Sequence, residues 1–136
     1  MKSRVVVSAV IEKGDFLLFG KKKKDQAPYP NKWLILGGGV NLPDEKIEDA
    51  LRREIMEEAN IEVTEPERVF FDEDFAEDKH GEMTHYIYLT FRAQYKSGDA
   101  KAGDDIEQLK WVSRSMLKEL DICEPSIKLF RKLGYL

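Results

Sequence analysis

Glu54, Glu57 and Glu58 crowd into the run Arg53-Glu54-Ile55-Met56-Glu57-Glu58. At about 100° per residue they fall within an arc of roughly 100° on one side of a helix. They lie beside the apolar stripe of Ile47, Leu51 and Ile55. Carboxylates at that spacing repel one another by roughly a few tenths of a kcal/mol per pair on an exposed helix, and by more where water is excluded. A hard divalent cation with oxygen ligands relieves the repulsion. Mg²⁺ suits the case, because it takes one or two carboxylates and fills its octahedron with waters and substrate phosphates. A Glu-rich turn alone is ordinarily a solvated helix face, so the segment leading into it carries the weight. Trp33 to Leu36 reads as a short strand that ends in Gly37-Gly38-Gly39, and a loop then runs to Glu45. Glycines allow the backbone to come close to a ligand, although a lone glycine triplet is more often a turn or bulge.

Taken together, these residues resemble the Nudix box, G-x5-E-x7-R-E-U-x-E-E-x-G-U with U aliphatic. The match runs Gly39, Glu45, Arg53, Glu54, Ile55, Glu57, Glu58, Asn60 and Ile61, with every charged position at its spacing. Asn60 replaces the final glycine, a mild change because Asn tolerates the left-handed conformation. Gly37 stands where a proline is usual, and Pro43-Asp44 where glycine often precedes the glutamate; neither change removes a ligand. The strands before the box and the Trp111 strand after it also fall where the family has them. The Trp33…Gly-Gly-Gly-Val stretch, Ala50-Leu51-Arg52-Arg53-Glu54-Ile55 and the Lys-Leu-Gly-Tyr-Leu ending look most like the branch acting on pyrimidine (deoxy)nucleoside triphosphates.

The resemblance implies roles by motif position. Glu57 and Glu58 are the expected metal ligands, joined by the Gly38 carbonyl. Glu54 is a third ligand or the base that deprotonates the attacking water. Arg53 would orient Glu54 by a charge-assisted hydrogen bond, and Glu45 would support the loop or a water. The family often adds a carboxylate about six residues before the later Trp; Asp105 fits, with Glu107 and Asp104 as rivals and a solvated acidic turn as the plain alternative. Mg²⁺ is the expected cofactor, with Mn²⁺ as a substitute. The implied reaction is hydrolysis of a phosphoanhydride in a nucleoside-diphosphate-containing substrate, with a (deoxy)nucleoside triphosphate going to the monophosphate and pyrophosphate. Nucleotide sugars, dinucleoside polyphosphates and oxidised nucleotides are the alternative substrates.

Other candidates stand apart from the motif. Lys21 and Lys22 follow the second strand and could contact phosphates, although the block Lys21-Lys22-Lys23-Lys24 reads equally as a solvated loop. Tyr29, Trp33, Tyr86 and Tyr88 could stack a base, but aromatic residues in strands are more often core. His80 and His85 lack zinc spacing and receive no role.

The elements that must position these groups are legible from periodicity. Val5 to Ile11 is a nearly unbroken β-branched apolar run, the pattern of a buried strand. Lys13-Gly14-Asp15 turns the chain into Phe16-Leu17-Leu18-Phe19. Glu45 to Ala59 reads as the central helix, with Asp44 as N-cap and Asn60 as a left-handed C-terminal residue. Strands follow at Ile61–Val63, Val69–Phe75, Met83–Tyr95 and Ile106–Val112. In the Met83 strand, Ile87, Leu89, Phe91 and Ala93 alternate with Tyr86, Tyr88, Thr90 and Arg92 as in a half-buried strand. A short helix capped by Ser113 or Ser115 and a closing helix over Glu124–Leu133 complete the chain. The expected architecture is an α/β (α+β) fold, a Nudix-type α/β/α sandwich with a mixed sheet and a central catalytic loop-helix, formed by one domain over 1–136.

Composition bounds the remaining classes. Of 136 residues, 42% are hydrophobic and 35% charged, which suits a globular chain with its own core. The net charge of −4 offers no electrostatic case for coating a nucleic acid polymer. No apolar run reaches the ~18 residues that span a bilayer, and Met1-Lys2-Ser3-Arg4 reads as the approach to a strand rather than a signal peptide. The single Cys123 fits a reducing cytoplasm as a buried, inert thiol. A homodimer is open to such a chain, with no interface legible. A nucleotide-sensing module of the same fold would be expected to lose some carboxylates, and this chain keeps them all. A calcium module would need an EF-hand loop, which is absent.

Overall fold

The computed structural model describes residues 1–136. Strand β1 (Lys2–Lys13) runs through the centre, followed by β2 (Phe16–Lys22), β3 (Trp33–Leu34) and β4 (Leu36–Gly39). Helix α1 (Ile47–Ala59), β5 (Glu62–Val63), β6 (Glu67–Glu77), β7 (Met83–Ser97) and β8 (Ile106–Ser113) come next. A 3-10 segment over Arg114–Glu119 and helix α2 (Glu124–Leu133) close the chain. The sheet is mixed, with β1 and β7 parallel from Lys2↔Thr84 to Glu12↔Gln94 and all other pairs antiparallel. β4 lies on the other edge of β1, with Val6↔Gly39, Val7↔Gly38 and Ser8↔Gly37 in register.

Helices cover both faces, which explains the unbroken apolar run of β1. Val7, Ala9 and Ile11 pack with Ala50, Leu51 and Ile55 of α1. Val10 packs on the opposite side with Leu17, Phe19 and Val112, and with Leu117, Leu129 and Phe130 from the C-terminal segments. Each fully buried Val, Leu, Ile or Phe side chain among them contributes roughly 1.5–3 kcal/mol. The result is the mixed α+β sandwich expected. No helix is long and apolar enough to cross a membrane.

Three local expectations are corrected. Helix α1 starts at Ile47 rather than Glu45; Lys46 is the N-cap residue and no side chain caps it, so Asp44 does not serve. Glu45 sits in a preceding turn, its N–H donating to the Asn41 carbonyl, because its carboxylate is engaged by Arg53 and by the Asn41 N–H. Strand β7 is covered on both faces instead of one: Tyr86 and Thr90 are as buried as Phe91 and Ala93. The segment after β8 is a 3-10 turn, and Ser113 bonds the Ser115 hydroxyl instead of capping it. Asn60 does take the left-handed conformation, with φ 58° and ψ 37°, and its N–H reaches the Met56 carbonyl.

Candidate active site

Helix α1 turns Glu54 and Glu58 inward and leaves Glu57 exposed, as the helical arc requires. The glycine strand makes room for them. A side chain on Gly38 would collide with the Glu54 carboxylate, and one on Gly37 with the Val7 carbonyl. The Gly37 N–H donates to Glu58 Oε1 at 2.9 Å. Arg53 is engaged at every nitrogen. Its Nε and Nη2 donate to Glu45 at 2.7 and 2.8 Å, Nη1 to Glu54 at 2.9 Å and to Glu57 at 3.3 Å, and Nη2 also to the Gly39 carbonyl at 3.1 Å. One guanidinium thus ties the loop, the helix and the glycine strand together.

The acidic loop before β8 is fastened to the end of this helix. The Gly103 N–H donates to the Glu58 carbonyl and the Lys101 N–H to the Ala59 carbonyl, each at 3.0 Å. Those carbonyls would otherwise be orphaned at the helix terminus. Gly103 comes so close to the Glu57 carbonyl that no side chain would fit there. Asp104 and Asp105 are brought to the helix as a result. Oxygens of Glu54, Glu57 and Asp104 lie within 4.8 Å of one another, as do those of Glu58, Asp104 and Asp105. Burial pushes the Glu58 carboxyl well above its ordinary range, against the Gly37 N–H, and the neighbouring Asp105 raises it further. Burial likewise raises Glu54, with Arg53 opposing. Five carboxylates that crowd so closely, two of them desolvated, form an all-oxygen donor set that fits a hard divalent cation. Glu107 lies on β8, exposed and outside both groups.

A cavity of about 360 Å³ opens from this cluster across the face of the sheet that α2 covers. Ser8, Val6 and Arg4 of β1 and Thr90, Tyr88 and Tyr86 of β7 form its floor. Tyr29 closes one side, donating to Asp74 at 2.5 Å and meeting the Tyr88 hydroxyl at 2.8 Å. Burial raises the pKa of both phenols, so they remain protonated through the neutral range. Cys123, buried and unpaired, also lines this end, with burial raising its thiol.

The substrate-binding candidates separate accordingly. Lys22 and Tyr29 line the cavity; Lys21 and Trp33 do not. Strand alternation sends Lys21 to the opposite face from Lys22, where it lies 5.9 Å over the Trp33 ring. Trp33 packs against the core beneath α2. Lys22 is ion-paired with Asp105 at 3.3 Å and donates to the Ala27 and Pro28 carbonyls. Tyr86 and Tyr88 line the floor, while His85 is hydrogen-bonded to Glu73 on the outside. His80 reaches the cavity rim. Sequence reasoning passed over Arg4 and Asp74. The same-face spacing of Arg4, Val6 and Ser8 was the available signal for Arg4; nothing short-range could have found Asp74.

A sheet between helices, with a glycine strand leading into an acidic helix, defines a phosphoanhydride-hydrolase type of site. The NUDIX domain model matches residues 2–133, and the chain belongs to that family. It is similar to proteins named nucleoside triphosphatase NudI, at 31% identity in Enterobacter sp. (strain 638) and 32% in Escherichia coli O17:K52:H18, over the full length of both chains in each case. Among solved structures, a MutT protein from Methanosarcina mazei Go1 superposes with a TM-score of 0.83 at 21% identity, covering 98% of this chain and 94% of that one. A MutT NUDIX hydrolase from Burkholderia pseudomallei gives 0.73 at 25% identity, covering 92% and 90%. The chain is a Nudix pyrophosphohydrolase, and its family generally works with a divalent metal.

Proposed function

We propose that the protein hydrolyses nucleoside triphosphates to the monophosphate and pyrophosphate, with Mg²⁺ as cofactor and Mn²⁺ as substitute. The observation that carries this reading is the two carboxylate groups, sharing Asp104, whose residues Glu54, Glu58, Asp104 and Asp105 line a cavity of about 360 Å³. The names of its full-length relatives support the triphosphate, and the sequence resemblance favours pyrimidine bases.

Glu57, Glu58 and the Gly38 carbonyl would hold the metal, with Asp104 and Asp105 nearby and Glu54 as further ligand or base. When bound, the divalent ion supplies charge neutralisation for the phosphates and acidifies water. The rest is done by the chain. Water adds to phosphorus, the oxygen bridge between the α and β phosphorus atoms breaks, and pyrophosphate leaves with that electron pair. Glu54 has one oxygen held by Arg53 and the other unengaged, so it can accept the proton released by water. Arg53, itself steadied by Glu45, keeps that carboxylate from rotating. Tyr29, Tyr88 and the apolar wall beneath α2 would take the nucleoside. The buried, unpaired Cys123 fits a reducing cytoplasm.

The test is pyrophosphate release from a nucleotide panel, with Mg²⁺ and with chelator. Activity is expected with the metal alone, and Glu57→Gln should reduce kcat by about two orders of magnitude or more without unfolding the protein. Equal turnover by wild type and variant would overturn the metal assignment.

A further inference from the structure

We propose that Arg4 binds the phosphate chain of the substrate; this rests on the triphosphate reading above. The cavity is lined by four cationic side chains, Lys2, Arg4, Lys22 and Lys79. Lys2 is paired with Asp78 and Lys22 with Asp105. Lys79 sits in the exposed turn between β6 and β7. Arg4 comes from the central strand, is exposed where it lines the cavity, and has neither a carboxylate at ion-pair distance nor a hydrogen-bond acceptor.

The contrast with Arg53 is informative. Both guanidiniums meet at Gly39. Arg53 takes its carbonyl and spends its remaining donors on glutamates. Arg4 lies against the Cα of the same glycine, so closely that any side chain there would overlap its guanidinium. A guanidinium has five N–H donors in a planar fork. Those of Arg53 are satisfied by the protein; those of Arg4 remain available. Because Gly38 and Gly39 face opposite sides of β4, the Glu54 carboxylate lies against one glycine and the Arg4 fork against the next. Arg4, Glu54 and Glu58 line the same cavity, so a polyphosphate at the carboxylate cluster has an unpaired, planar cation on the wall of that cavity. The planar fork matches two phosphate oxygens in a way that an ammonium does not.

The experiment compares wild type, Arg4→Ala and Arg4→Lys in kcat and KM with a nucleoside triphosphate and the matching diphosphate, together with inhibition by inorganic tripolyphosphate in Mg²⁺. Arg4→Ala is expected to raise the triphosphate KM about tenfold or more, consistent with a lost charge-assisted bidentate contact, with a smaller change in kcat. The diphosphate KM should move less, tripolyphosphate inhibition should weaken in parallel, and Arg4→Lys should recover only part of the loss. Unchanged triphosphate KM and unchanged tripolyphosphate inhibition in Arg4→Ala would overturn the proposal. If wild type cleaves no nucleoside triphosphate, the triphosphate reading fails. Tripolyphosphate binding by calorimetry to the Mg²⁺-loaded wild type and Arg4→Ala then decides the Arg4 contact separately, equal affinities counting against it.

Discussion

The two ends of the cavity are built on different principles. At the acidic end, Arg53 reaches Glu45 eight residues away and Glu57 four residues away, and the Gly37 N–H reaches Glu58 over 21 residues. One loop and one helix hold it nearly complete. At the tyrosine end, Tyr29 meets Asp74 across 45 residues and Tyr88 across 59, so that three separate elements must be docked before any contact forms. The acidic end carries chemistry common to a family and can be inherited as one continuous segment. The tyrosine end draws its contacts from three elements far apart in the chain, so no single segment carries it.

The sharpest way to break this comparison lies at the acidic end. Glu58→Gln should lower kcat by about a hundredfold or more if Glu58 is a metal ligand as proposed, and not merely a support for one. Yet the variant should be more heat-stable than wild type in chelator. Burial raises the Glu58 carboxyl, so the folded protein without metal prefers it protonated. That preference is satisfied below the ordinary value of 4.5 and is lost as pH rises through the raised one. Wild-type melting temperature in chelator should therefore decline up that limb, and Glu58→Gln should flatten it. A variant less stable than wild type at pH 8 in chelator would contradict the burial argument.

Glu45 is expected to behave with the opposite sign and a smaller effect on turnover. Its hydrogen bond from Arg53 lowers it from the ordinary 4.5 to about 2. The stability it contributes is present above pH 4.5 and disappears as pH falls from there toward 2. Acid unfolding followed by circular dichroism should show a shallower limb in Glu45→Gln across that window. The same substitution loosens Arg53, and kcat should fall about 10- to 100-fold, as for groups that orient metal ligands.

The smallest effect is predicted at the far end. Tyr88→Phe removes one hydroxyl from the Tyr29–Asp74–Tyr88 cluster but leaves Asp74 its partner. A single hydrogen bond is worth about 0.5–1.5 kcal/mol, so KM should rise by about two- to tenfold, with Mg²⁺ activation unchanged. Base preference measured across the nucleotide panel should shift more than kcat. A fall in metal affinity instead would mean that the two ends are not independent.

Much of the fold was legible in local pattern, because apolar runs and the helical stripe register burial directly. The unbroken apolar stretch of β1 announced a strand covered on both faces. β7 misled because its second face is closed by polar and aromatic side chains, Thr84, Tyr86 and Thr90, whose types usually signal solvent. The helix start was misread for a related reason. Asp44 has the chemistry of a cap, but Glu45 is held in a turn by Arg53, and a hydrogen bond from the next helical turns outweighed local preference.

By itself the sequence determined the carboxylate helix, its glycine approach and the left-handed Asn60, since each depends on spacing within one segment and on backbone preference. Tertiary structure alone decided that Asp104 joins Asp105 beside those carboxylates, through the loop that satisfies the last carbonyls of α1. It also decided that Lys22 is neutralised while Arg4 is not, and that Tyr29 faces the cavity while Trp33 packs into the core. Those outcomes depend on which strands become neighbours, and the strand pairing sums many weak contacts between residues far apart in the chain.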